Sequence, residues 1–128
     1  MAVSNNQVIA YKMSRESFNA TKYRAFFEEN KDKFANKKIL QDNVRFHHAK
    51  IVKEYTTENN TSMNYIPAYS PIFNPIELVF LQLKSAFKKM DHVNMEADIK
   101  KSIETVTPVN LQNYFSHVKK IIIDYANK

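Results

Sequence analysis

The chain has 128 residues and no cysteine, which leaves room for one domain and excludes disulfides and thiolate metal sites. With 44% hydrophobic and 12% aromatic residues it can fill a core, yet no run reaches the ~20 apolar residues of a membrane helix. A formal charge of +6 suits a polyanionic partner.

The first twelve residues, MAVSNNQVIAYK, lack the basic and apolar regions of a signal peptide. The expectation is a soluble intracellular protein with no membrane partner, in the nucleus if its source is eukaryotic. The sequons at Asn19, Asn59 and Asn60 are then incidental. Glycine is absent, so the fourteen asparagines are expected to supply most turn positions with positive φ.

Val3-Ser4 and residues 7–12 flank Asn5-Asn6, a pattern that predicts a β-hairpin with a two-residue turn. Ser17 and Asn19 open the next segment, where Tyr23, Phe26, Phe27 and Phe34 recur at helical spacing. That predicts an amphipathic helix over 20–34 with an aromatic buried face. Ile39-Leu40-Gln41 reads as a short strand ending at Asp42-Asn43. His48, Ile51, Val52 and Tyr55 then mark a second helix over 47–55. Alternation of strand and helix through residues 35–90 implies an α/β arrangement with at least one parallel strand pair.

The stretch NYIPAYSPIFNPIELVFLQLK, residues 64–84, organises the rest. Pro67, Pro71 and Pro75 cannot belong to one regular element, so it reads as a strand over 63–66, a rigid extended loop, and a helix. Asn74 suits the N-cap and Pro75 the first helical position, which puts Glu77 in the first turn. Ile76, Val79, Phe80, Leu83, Phe87 and Met90 form the buried stripe. Glu77, Lys84 and Lys88 lie together roughly 100° round from it. Two further helices are predicted, over 96–106 and after Thr107 and Pro108. No linker interrupts the pattern, so residues 1–128 read as a single domain.

Asp42 ends a strand and Glu77 opens a helix, with thirty-four residues between them. Carboxylates brought together at strand ends can share divalent cations, and their hard oxygens favour Mg²⁺ or Mn²⁺. Taken singly, Asp42 also fits an Asx-turn and Glu77 a first-turn acid favoured by the helix dipole.

The joint pattern LQDNVRFHHAK followed by YIPAYSPIFNPIELVFLQLK resembles the catalytic domain of mariner-type DDE transposases and their bacterial insertion-sequence relatives. In that resemblance Asp42, Asn43 and His47 match the segment of the second catalytic acid. Residues 67–71 and 74–77 match that of the third, with Lys84 in place of the lysine that follows it. SFNATKYRAFF and TPVNLQNYFSHV look like flanking parts of the same domain. The resemblance implies an α/β, RNase H-like fold. It also implies a two-metal phosphodiester mechanism on transposon-end DNA, with Asp42 and Glu77 as catalytic metal ligands. Asn43, His47 and Asn74 would be supporting residues, and Lys84 and Lys88 would contact DNA phosphates.

The chain departs from the family pattern at its start. The family's first aspartate precedes the hairpin, whereas here the hairpin begins at Met1 and no acid precedes Glu16. The expectation is therefore a partial or degenerate domain, inactive alone. It would have a truncated mixed sheet (the hairpin plus two further strands) and about five helices. Such a sheet would leave edges for a second copy or a missing N-terminal segment. The alternative is a non-catalytic DNA-binding or interaction module derived from a transposase.

Overall fold

Asn19 has extended backbone, and its side chain accepts the Lys22 N–H at 2.9 Å, satisfying an orphan donor where α1, Ala20–Glu29, begins. The computed structural model describes residues 1–14, 16–41, 49–59, 61–67 and 70–127. They form two compact units, a central one of Lys12–Pro71 and a discontinuous one of Met1–Tyr11 with Ile72–Lys128.

In the central unit the expected helix over 20–34 is broken at Asn30. The Asn30 side chain donates to the Phe26 carbonyl at 2.8 Å, and its backbone leaves the helical region at φ −117°, ψ 25°. A separate turn, α2, Lys31–Phe34, then returns Phe34 to the core. Phe26, Phe27 and Phe34 are buried and meet edge to face at centroid distances of 4.9 to 5.8 Å.

Helix α3, Lys50–Glu58, adds Val52 and Tyr55 to this core. It runs three residues beyond the predicted end, while the predicted start at His47-His48 lies outside the described residues. The Tyr55 hydroxyl donates to the Phe27 carbonyl at 3.2 Å, and burial raises its pKa. Arg24 ties α1 to α3 from the rim. It donates to Glu28 at 2.7 Å, to Glu58 at 3.2 Å and to the Ile51 carbonyl at 2.9 Å. The bond to Glu28 contributes most to raising the guanidinium pKa.

Strands β3, Lys38–Gln41, and β4, Ser62–Tyr65, pair in parallel from Lys38↔Ser62 to Gln41↔Tyr65. Parallel neighbours need a crossover, and α3 lies on it. The parallel pair is as the alternating pattern predicts.

In the discontinuous unit β1, Ala2–Val3, and β2, Val8–Ala10, form the predicted antiparallel hairpin, closed by Ser4 N–H to the Gln7 carbonyl at 2.9 Å. Its register slips by one residue between Ala2↔Ala10 and Val3↔Val8, a bulge. Among the described residues only Asn36 and His92 have positive φ, so the expectation for asparagine is corrected. Its short amide side chain serves helix ends instead, as at Asn19, Asn30 and Asn94.

Three helices complete this unit: α4, Ile76–Phe87; α5, Met95–Glu104; and α6, Pro108–Ala126. Helix α6 opens as predicted, with Pro108 in the first turn and a reciprocal capping box between Thr107 and Asn110. The described residues thus form a mixed α/β structure with six helices, one more than expected because Asn30 splits the first. Among the described residues four strands pair as two two-stranded sheets, β1 with β2 and β3 with β4, where one mixed sheet was expected. No described helix is long and apolar enough to cross a membrane.

Candidate active site

Glu77 owes its position to the start of α4. The Asn74 side chain accepts the Ile76 N–H at 3.2 Å, and the Asn74 carbonyl accepts the Glu77 N–H at 3.1 Å. Pro75, already helical at φ −57°, ψ −26°, has no N–H to leave unpaired. Capping therefore sits at Asn74 as predicted, although the regular helix begins at Ile76. Asn74 is buried and Val79 fully so, which anchors the first turn at both ends.

Further along α4, the Gln82 amide donates to the Thr105 carbonyl and to Asn110 Oδ1, each at 3.1 Å. It also accepts the Tyr114 hydroxyl at 2.6 Å. These neutral bonds fix α4 against the start of α6. Phe73, just before the cap, meets Tyr125 of α6 edge to face at 5.4 Å. The proline-rich loop thus packs through Phe73, while Tyr69 lies outside the described residues.

Glu77 is half-buried, and among the described residues its carboxylate takes part in no ion pair or hydrogen bond. Lys84 and Lys88 are exposed and likewise unpaired among the described residues. They stand seven and eleven residues after Glu77, hence on its face of the helix, about 10 and 16 Å along the axis. A carboxylate followed in this way by two ammonium groups can bind a cation at one end and phosphates at the other.

Asp42, Asn43 and His47 lie outside the described residues. The residue before Asp42 is well defined, however. Gln41 is buried at the end of β3, its carbonyl accepts the Ile66 N–H at 2.8 Å, and its side chain bonds Tyr23 and Met63. Sequence reasoning missed this buried, bonded glutamine. The available signal was a polar residue that β alternation places on the core side of a strand.

Residues 1–100 match the family described as DDE superfamily endonuclease, a span that includes both Asp42 and Glu77. The chain belongs to the DDE superfamily of endonucleases. A comparison with curated proteins finds no match. Membership points to transposase-like nuclease function, with DNA as substrate and divalent metal in general use. The hard-oxygen carboxylate of Glu77 suits such an ion. Among the described residues no three or more acids and histidines are grouped to hold one.

Proposed function

We propose that the chain is a mariner-type member of the superfamily, with residues 1–128 belonging to a single catalytic domain of RNase H-like fold. In this reading Asp42 and Glu77 ligate Mg²⁺ or Mn²⁺ at a site acting on transposon-end DNA. When bound, two such ions supply stabilisation of the attacking and leaving oxygens of a phosphodiester. Glu77 offers one ligand from a turn held by Asn74, and Lys84 and Lys88 neutralise phosphates beside it. Asn43 and His47 support the Asp42 side. Where the host is eukaryotic, the place of action is the nucleus.

One observation carries the reading. The span that matches the family contains the ordered Asp42 and Glu77 motif set, and Glu77 stands on a capped helix with its carboxylate unpaired among the described residues. Within the 128 residues only these two acids fit the motif set, and two carboxylates do not position two ions. On this reading these residues supply two of the site's ligands, and DNA cleavage by them alone is not expected. The test is Mg²⁺-dependent nicking of supercoiled DNA by the purified chain, beside Asp42→Ala. No nicking by either is expected, whereas nicking by the native chain alone would overturn the inactive assignment.

Lys84 and Lys88, exposed and unpaired among the described residues, favour a second reading, a DNA-binding or interaction module that needs no metal. It predicts salt-sensitive DNA binding that survives Asp42→Asn and Glu77→Gln in the absence of Mg²⁺. Unchanged affinity after Lys84→Ala and Lys88→Ala would remove its basis.

A further inference from the structure

Basic residues in the central unit are of two kinds. Lys12, Lys22, Arg24 and Lys50 each pair with a glutamate, at 2.8, 3.0, 2.7 and 3.8 Å respectively. Lys53 on α3 is exposed and forms no ion pair among the described residues, and the same is true of Lys31, Lys33, Lys37 and Lys38. These four lysines fall within eight residues that contain one acid, Asp32.

The segment is a folded turn and not an extended tail. Lys33 N–H donates to the Asn30 carbonyl at 2.9 Å, and Lys37 N–H to the Phe34 carbonyl at 3.2 Å. Phe34, 3% exposed, pins the middle of the segment to the aromatic core. Asn36 takes the left-handed conformation at φ 59°, which turns the chain into β3 and places Lys37 and Lys38 at the start of that strand. Exposed ammonium groups concentrated on a pinned backbone, with a single carboxylate among them, suit a polyanionic partner.

We infer that the lysine-rich turn from Lys31 to Lys38 is a phosphate-binding surface for duplex DNA, distinct from the lysines of α4. The inference rests on the proposed DNA-acting function and deepens it. The turn lies at the N-terminal end of β3, about 10 Å of strand from Gln41, the neighbour of Asp42. It therefore holds duplex away from the Asp42 end of the strand and adds affinity without sequence preference.

The test is duplex binding by the whole chain, read by fluorescence anisotropy across a salt series. The variant Lys31→Gln, Lys33→Gln, Lys37→Gln, Lys38→Gln is compared with Lys12→Gln, Lys22→Gln, Lys50→Gln, and far-UV circular dichroism checks that both fold. Each lysine–phosphate pairing that is removed lowers the slope of log affinity against log salt by about 0.9. A fall of up to about 3.6 is expected for the first variant and of less than about 1 for the second. An equal fall per charge in both, or no fall in the first, overturns the inference and leaves the DNA-binding function standing. Absence of duplex binding by the native chain overturns both. Arginine at all four positions is expected to restore the native slope.

Discussion

The two units of this protein are held by different chemistry. In the central unit an aromatic core is braced by charge, with Arg24 alone reaching Glu28, Glu54 and Glu58. In the discontinuous unit the helices are joined by neutral bonds, chiefly Gln82 with Thr105, Asn110 and Tyr114, and the caps at Asn94 and Thr107. Charge at a protein rim is screened by salt, whereas neutral amide bonds are not. The Gln82 contacts that join α4 to the start of α6 are therefore expected to be insensitive to salt.

The largest expected effects come from the two cores. Phe27→Ala and Leu111→Ala each remove a side chain no more than 2% exposed, a change that costs roughly 3–5 and 2–5 kcal/mol respectively. Hydrogen exchange should show protection falling first in α1 and α3 for Phe27→Ala, and in α4 and α6 for Leu111→Ala. Uniform loss across all helices in both variants would break the comparison, because the units would then unfold as one.

Gln82→Leu comes next. It removes the partner of the Tyr114 hydroxyl and of the Thr105 and Asn110 acceptors, at a cost of about 0.5–1.5 kcal/mol in urea unfolding. That cost should be the same at low and high salt. Arg24→Met should destabilise less, and its effect on the melting temperature should shrink at about 1 M NaCl, where screening is strong. A salt-dependent Gln82 effect, or a salt-independent Arg24 effect, would count against the contrast.

Much of this fold was legible in the sequence because the strongest signals are local. Thr107-Pro108 marks the start of α6 and Asn74-Pro75 that of α4, since a cap and a fixed φ act within a few residues. The Asn30 break was hidden because the aromatic spacing continues through it. Only the competition of the Asn30 amide for the Phe26 carbonyl decides that the helix ends. The pairing into two sheets depends on partners distant in sequence, which periodicity does not encode. On α4, the place of Glu77 in the first turn and of Lys84 in the last was readable from the capping signal and helical spacing. The bonding of Gln41 was not, because it depends on Tyr23 and Met63, eighteen and twenty-two residues away.

The smallest effect should appear at alkaline pH. Burial raises the Tyr55 pKa above the ordinary 10.0, so the folded chain keeps a proton that the unfolded chain releases. Its stabilisation is complete below the ordinary value of 10.0 and is lost as pH rises through the folded value. Tyr65, also raised by burial, acts in the same direction. The melting temperature should therefore fall above about pH 10, and less steeply in Tyr55→Phe. An identical fall in that variant would show that Tyr55 is not responsible.

The most direct measurement of the central claim is Mn²⁺ titration of the isotopically labelled chain, followed by paramagnetic broadening of backbone amides. Joint ligation by Asp42 and Glu77 predicts that the amides of Gln41 and Leu78 broaden together at the same Mn²⁺ concentration. Both effects should be abolished by either Asp42→Asn or Glu77→Gln. Broadening confined to one of the two amides, or unchanged in both variants, would contradict it.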